Sequence, residues 1–359
     1  MSDTKPVRKS ENLDWRRLEE YVRRELKEIL GDEFDEDSAF EVEQFPGGHS
    51  NLTYLLRFGV REFVMRRPPF GPVPPKAHDM AREYRILEAV HPVYSLAPRP
   101  FILCEDEGVI GSTFYVMERR RGIIIRTKEP PEIENNPEKR ASVSRAMIGA
   151  LADLHAVDIE RHDLKRLGKP EGFVFRQVTG WTRRWQGAKT EELPEMERAA
   201  GWLEANLPPE CERPTLVHGD FKLDNVMLDR ERPEKIVGVF DWEMSAVGDP
   251  LIDLGILICY WTHWGRVAEL AGSASLESVT QREGWLTREE MIAGYARESG
   301  RALENFTFYE VFAVFKLAVV IQQIFYRYYK GQTDDPRFAK LDESVRLLAR
   351  IAFELLENS

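Results

Sequence analysis

Apolar residues recur at helical spacing from Leu13 to Leu30 (Leu13, Leu18, Tyr21, Val22, Leu26, Ile29, Leu30) and stop at Gly31, a residue suited to end a helix. An acidic link, Asp32–Asp37, follows, and from Phe40 the period shortens toward two. Phe40–Phe45, Leu52–Phe58 and Glu62–Arg66 predict three antiparallel strands. The spacing then predicts a helix over Lys76–Val90 with Met80, Tyr84, Leu87 and Ile86 on its buried side. Pro100–Cys104 and Thr113–Glu118 complete a five-stranded antiparallel sheet. Beyond it the pattern is helical over Pro137–Val157, Phe173–Gln186, Glu195–Asn206, Leu251–Trp261, Phe306–Tyr329 and Pro336–Glu357. Thr287-x-x-Glu290 is a capping box that opens one more helix, stopping near Gly300. Two short apolar runs, Thr215–His218 and Ile236–Phe240, read as strands within this helical half. The expected class is α+β: an N-terminal lobe over residues 1–118, led by helix 13–30, and a mainly helical C-terminal lobe over residues 119–359.

The polar residues at the ends of the strands carry the chemistry. His218-Gly219-Asp220 closes the first of the two late strands, and Asn225 follows five residues after the aspartate. That spacing is the one a kinase catalytic loop uses for its base and a magnesium ligand. Asp241 closes the second strand, where the kinase signature set has its metal-binding aspartate. Asp220 is suited to take the proton of an attacking hydroxyl, and Asn225 and Asp241 supply the oxygen ligands that Mg²⁺ prefers. His218 is expected to support the loop by hydrogen bonding. Asp253, on a helix that otherwise looks buried, needs a partner, and the backbone of the catalytic loop is suited to be one. Asp224 and Asp229 read as turn residues.

In the N-terminal lobe, the turn Pro46–Asn51 places Gly47, Gly48, Ser50 and Asn51 where backbone N–H groups can cradle phosphate oxygens. Arg66 and Arg67 close the third strand. Side chains alternate along a strand, so one of the two faces the site and the other faces away. Arg66 stands where kinases have the strand lysine. Glu83 is its expected helix partner, with Glu88 as the alternative. Met117 to Arg119 is the natural hinge, whose backbone would meet an adenine edge. Trp181 and Trp185, at helical spacing, and Trp242 and Glu243, beside the metal aspartate, are the candidates for contact with substrate.

Composition narrows the partners. The chain has 359 residues, 43% hydrophobic and 31% charged, with a net charge of −11, which argues against a nucleic-acid binder that neutralises phosphates. Three widely spaced cysteines form no C-x-x-C pair, so neither a disulfide framework nor a zinc site is expected, and a reducing cytoplasm fits. Phe306–Tyr329 is interrupted by Glu310, Lys316, Gln322, Gln323 and Arg327 and reads as a buried helix rather than a membrane span. The oligomeric state is open.

The chain resembles the aminoglycoside phosphotransferase and choline kinase-like family of small-molecule kinases, and within it the branch whose relatives include the kinase-like domains joined to some acyl-CoA dehydrogenases. The matching residues are Gly47-Gly48-His-Ser50-Asn51-Leu-Thr53-Tyr54, Arg66-Arg67-Pro68-Pro69, Arg82-Glu83-Tyr84, Val217 to Asn225, and Asp241-Trp242-Glu243 through Gly248-Asp249-Pro250 to Asp253-Leu-Gly255. The resemblance implies a bilobal, protein-kinase-like fold, an ATP-binding cleft, Mg²⁺, and transfer of the γ-phosphate to a hydroxyl of a small molecule. Two positions depart from the general kinase pattern. Asp241-Trp242-Glu243 replaces D-F-G, and arginine replaces the strand lysine, a planar fork in place of a point charge. A nucleotide-binding pseudokinase or scaffold is the alternative to an active kinase. A metal-dependent hydrolase lacks the His/Asp ligand cluster of a two-metal site. The acceptor is open among aminoglycosides, other amines, sugars and hydroxyacyl compounds.

Overall fold

A computed structural model describes residues 3–46, 51–70, 79–270 and 278–358. The chain forms two compact units. The first is Met1–Arg121 together with Gly238–Glu243; the second is Gly122–Val237 together with Met244–Ser359.

The first unit opens with helix α1 (Trp15–Leu30), capped by the Asp14 side chain, which accepts the Arg17 N–H. Leu18, Val22 and Leu26, one turn apart, are its buried stripe. They lie in one core with Tyr54, Phe58, Ile102 and Phe114 of the sheet. The sheet is antiparallel, with β1 (Phe40–Gln44), β2 (Leu52–Phe58), β3 (Arg61–Arg67), β4 (Pro100–Cys104) and β5 (Phe114–Glu118) in the order β1-β2-β3-β5-β4. These are the five strands expected from the alternation, with ends shifted by at most one residue. Helix α2 (Met80–Val90) precedes β4, and its Asp79 cap accepts the Arg82 N–H at 2.8 Å. The first part of the helix expected over 76–90 lies outside the described residues, as do Gly47, Gly48 and Ser50. A single turn, α3 (Glu107–Ile110), joins β4 to β5; four residues are too few to leave a periodic signature.

The second unit is built around α10 (Phe306–Tyr329), which is apolar nearly all round and buried over most of its length. It packs against α5 (Phe173–Ala188), α6 (Pro194–Ala205), α7 (Leu251–Ile258) and α11 (Leu341–Glu357), while α4 (Pro137–His155) packs on α9 (Arg288–Ser299). Length and composition alone would let α10 cross a membrane; its apolar window is 78% buried inside the protein. Gly255 of α7 permits a close crossing, because a Cβ there would meet the Tyr309 carbonyl oxygen at 2.5 Å. A small antiparallel ribbon, β6 (Thr215–Val217) with β9 (Ala246–Gly248), completes the unit, and β7 (Val226–Leu228) pairs with β8 (Ile236–Val239) in a second two-stranded ribbon. The three-residue strands β7 and β9 are too short for a pattern to announce them.

Two helical expectations need correction. The helix expected over 251–261 ends at Ile258 and passes through a π turn, Cys259–His263, into α8 (Trp264–Leu270). The wider turn lets His263 reach Glu310 at 3.3 Å while the chain stays helical. The last helix is likewise split. A single turn at Pro336–Phe338, capped by Asp335, precedes α11. The capping box at Thr287 and Glu290 forms with both reciprocal hydrogen bonds.

Candidate functional site

In the first unit, β3 and α2 bring Arg66 and Glu83 together. The guanidinium donates to the Glu83 carboxylate at 2.5 Å, and both side chains are nearly excluded from water, at 11% and 1% exposed. Arg67 takes the opposite face of the strand, stacked over Phe70 with 4.1 Å to the ring centroid. Glu88 is not Arg66's partner; the helical twist gives that place to Glu83. Asp241 belongs to the same unit, 3.5 Å from Arg66 Nη2, and Arg82 donates to the Glu243 carbonyl. Burial pushes the Glu83 carboxyl up, to about 7, against the pull of Arg66 and with the help of Asp241 and Glu243. Burial also works against the Arg66 charge, but Glu83, Tyr115 and Asp241 outweigh it and hold the guanidinium charged.

Asp241 adopts a left-handed backbone, φ +69°, which a non-glycine residue adopts at a cost. One of its carboxylate oxygens is buried without a hydrogen-bond partner. Trp242 is 1% exposed, with its ring edge-on to Tyr94 and its indole N–H on the Val239 carbonyl. It is therefore core, not a substrate contact. Met117 is buried in β5. Asn51 is buried as well. The Arg119 side chain pairs with Asp3, lies 3.9 Å from Glu62, and stacks on Phe45.

In the second unit, strand β6 leads into the loop that carries Asp220. Asp253 on α7 accepts the backbone N–H of His218 at 2.6 Å and of Gly219 at 2.7 Å, and stands 3.2 Å from His155 Nε2. Burial pushes the Asp253 carboxyl up, but His155 and His218 more than offset it and hold it below its usual range. Burial keeps His155 below the usual histidine range, and its other nitrogen meets the Tyr295 hydroxyl at 2.7 Å. His218 is fully buried, and its Nδ1 accepts the Asp220 N–H at 3.2 Å. Gly219 sits at φ +82°, and a Cβ there would meet the Met244 carbonyl oxygen at 2.7 Å, so the position requires glycine.

Asp220 meets Asn225 and Lys222. The Asn225 amide donates to the Asp220 carbonyl at 2.9 Å and to its carboxylate at 3.0 Å. Lys222 donates to the same carboxylate at 2.8 Å and lies over the Tyr260 ring, 4.6 Å from its centroid. Burial opposes the Lys222 charge, but Tyr260, Asp220 and Asp224 hold it well above the usual lysine range. Asp224 is more than a turn residue: burial raises its carboxyl beside Lys222, Asp220 and Arg126. Nothing in the sequence pattern singled out Lys222, Tyr260 or Asp224 for this cluster. Tyr260 carries no signal, because the π turn that places it leaves no periodic mark. Trp185 is 0% exposed and donates to Glu197, so it is core rather than a substrate wall. Trp181 is also buried but touches cations on α5 and α10, with Arg184 and Lys316 over its ring.

Among the described residues no group of three or more His, Cys, Asp or Glu side chains forms a cage for a metal ion. Asp241 in the first unit and Asn225 in the second each carry an oxygen donor of the kind a hard cation prefers, and each by itself would need phosphate oxygens to complete a Mg²⁺ shell.

The model of the APH phosphotransferase enzyme family matches residues 41–293. The chain belongs to that family. It is 33% identical over 355 residues to acyl-CoA dehydrogenase family member 11 of Rattus norvegicus, covering 98% of this chain and 44% of the relative. It is 35% identical over 351 residues to acyl-CoA dehydrogenase family member 10 of Mus musculus, covering 97% of this chain and 32% of the relative. The chain thus spans less than half the length of these curated relatives, in keeping with the branch resemblance. Among solved structures, a protein of Ralstonia eutropha JMP134 provisionally named an aminoglycoside phosphotransferase superposes with a TM-score of 0.79 at 28% identity, covering 97% of this chain and 99% of that one. Aminoglycoside phosphotransferase APH(4)-Ia, crystallised with AMP-PNP and hygromycin B, shares the fold with a TM-score of 0.58 at 16% identity, over 94% and 99% of the two chains. The fold is therefore that of the kinase-like phosphotransferases, and the class of enzyme is a phosphotransferase.

Proposed function

We propose that the protein is an ATP- and Mg²⁺-dependent kinase that moves the γ-phosphoryl group to a hydroxyl of a small molecule. The observation that carries this reading is the Asp220 cluster, a carboxylate fixed by Lys222 at 2.8 Å and Asn225 at 3.0 Å on a loop whose backbone is itself bound. Phosphoryl transfer asks the protein for positioned groups and neutralised charge more than for covalent chemistry. In this reading Asp220 accepts the proton of the acceptor hydroxyl as its oxygen attacks the γ-phosphorus and the bond to the β-phosphate oxygen breaks. Lys222 offsets the negative charge that gathers beside Asp220. Arg66, held by Glu83, binds nucleotide phosphates. Asn225 and Asp241 would hold Mg²⁺, which supplies neutralising charge to the phosphates when bound. Gly47, Gly48 and Ser50 are proposed to cover the phosphates, and Met117 to present backbone to the base.

The names of the acyl-CoA dehydrogenase relatives favour a hydroxylated acyl compound as acceptor over an aminoglycoside. An ADP-release screen with Mg-ATP over hydroxyacyl-CoAs, sugars and amines tests the reading. Turnover with one acceptor, lost in Asp220→Asn while nucleotide affinity stays within about twofold, is the expected result. Nucleotide binding with no turnover over the whole panel would instead identify a pseudokinase.

A further inference from the structure

Lys316 lies in the middle of α10, 6% exposed, with Phe312, Phe315 and Val319 buried around it on the same helix. A charged ammonium is costly to bury and is normally retained only where it is paired. Glu310, six residues earlier on the same helix, follows that rule: it is bound by Arg288 at 2.7 Å and lies 3.3 Å from His263. Lys316 does not follow it. Its Nζ donates to a neutral carbonyl, that of Gly219, at 2.6 Å, and hangs over the Trp181 ring with 5.4 Å to the centroid.

That carbonyl belongs to the peptide joining Gly219 to Asp220. The N–H of the same peptide donates to His218 Nδ1 at 3.2 Å. Both polar ends of one peptide plane are therefore bound, the oxygen by Lys316 and the N–H by His218. The preceding peptides are fixed as well, since Asp253 accepts the N–H groups of His218 and Gly219, and Ser245 donates to the His218 carbonyl at 3.2 Å. Gly219 is the one residue of this loop with the rotational freedom to turn that plane, because it has no Cβ and already sits at φ +82°. A bond on its carbonyl removes the freedom that the glycine introduces.

We propose that Lys316 is a positioning residue for phosphoryl transfer: its ammonium locks the Gly219–Asp220 peptide plane and so aims the Asp220 carboxylate. The proposal rests on the reading of Asp220 as the base. It assigns a role in the reaction to a lysine 96 positions away in sequence, on a helix that the chemistry otherwise does not use.

The charged and titratable groups around Lys316 are Asp220 and Lys222 of the loop, Asp253 of α7, Cys259 of the π turn and Arg184 of α5. Burial draws the ammonium down to about 8, with Asp220 and Asp253 opposing and Lys222 and Arg184 assisting. The lock therefore loses its charge, and its strongest form of hydrogen bond, as pH rises through about 8.

The test uses the full chain with Mg-ATP and water as the acceptor, following ADP release. Lys316→Met is expected to lower kcat by about 10- to 100-fold, the cost of a misaimed group, with KM for ATP within about twofold. The wild type should lose rate between about pH 7 and 9, and Lys316→Met should lack that limb. A Lys316→Met rate and pH profile equal to an active wild type overturns the proposal alone. A wild-type rate no higher than that of Asp220→Asn overturns the phosphotransfer reading, and this proposal with it. Where Lys316→Met also lowers the melting temperature, Lys316→Arg decides. Recovery of rate by a side chain that keeps charge and donor supports positioning, and a rate that stays at the methionine level overturns it.

Discussion

Asp253 grips the backbone of His218: one carboxylate oxygen accepts the main-chain N–H at 2.6 Å, and both residues are fully buried. The other oxygen does the same for Gly219 at 2.7 Å. A single carboxylate thus holds two successive N–H groups that would otherwise be buried and unpaired. Asparagine keeps the shape but has one acceptor oxygen, so Asp253→Asn turns an amide donor toward one of those N–H groups. The expected loss is about 2–3 kcal/mol of stability, in the range for hydrogen bonds to charged groups, together with most of the turnover. Urea unfolding and ADP release measure the two. Unchanged stability would show that the grip contributes nothing to the fold.

The Arg66–Glu83 pair makes a contrasting case, since each partner is buried on account of the other. Arg66→Ala leaves the Glu83 carboxylate, 1% exposed, beside Asp241 and Glu243 without its cation. Removing one member of a buried pair costs on the order of 3–5 kcal/mol. The double variant Arg66→Met/Glu83→Gln removes both charges and is expected to recover most of that stability. It should not recover affinity for a fluorescent ATP analogue, because the proposed phosphate contact is gone. Double-variant stability as low as that of Arg66→Ala would mean that the pair is not what holds β3 to α2.

How far the sequence led differs between these groups for physical reasons. The sheet was legible because strands β1 to β5 are short runs rich in apolar and β-branched or aromatic residues separated by turn residues, and α10 was legible to the residue because its apolar run is long. The contact of Asn225 with Asp220 was legible because the two sit at a fixed spacing after a strand end. Lys222 and Lys316 were hidden for opposite reasons. Lys222 resembles any polar residue of a loop, whereas Lys316 reads as an interruption in an apolar helix. Trp185 and Trp242 are candidate substrate contacts on residue type alone, and burial assigns them to the core. The π turn at Cys259–His263 leaves no periodic mark, so nothing in the spacing placed Tyr260 against Lys222.

The raised Glu83 carboxyl gives a pH dependence with a definite sign. With its pKa lifted from the usual value to about 7 in the folded protein, Glu83 binds more proton when folded than when unfolded between about pH 4.5 and 7. Its contribution to stability therefore falls as pH rises through that window. Glu83→Gln removes the titration. The difference in urea midpoint between the wild type and Glu83→Gln should shift against the wild type from about pH 5 to about pH 7.5. A constant difference across those pH values would mean that Arg66 holds the carboxylate ionised throughout.

The last prediction concerns the Lys222 ammonium, which is placed by two neighbours of different character. Asp220 binds its charge at 2.8 Å, and the Tyr260 ring, 4.6 Å from Nζ, covers it from another side. A ring face attracts a cation by its quadrupole, a contribution of about 2 kcal/mol where water is excluded. The hydroxyl adds little to that attraction, so Tyr260→Phe should keep ADP release within about threefold of the wild type. Tyr260→Leu keeps apolar bulk and loses the ring, and should lower turnover by about tenfold or more. Lys222→Met should match or exceed that loss. Combining Tyr260→Leu with Lys222→Met should then cost no more than Lys222→Met alone, because the ring acts through the lysine. A further loss in the double variant would show that Tyr260 acts on Asp220 or the acceptor by a separate route.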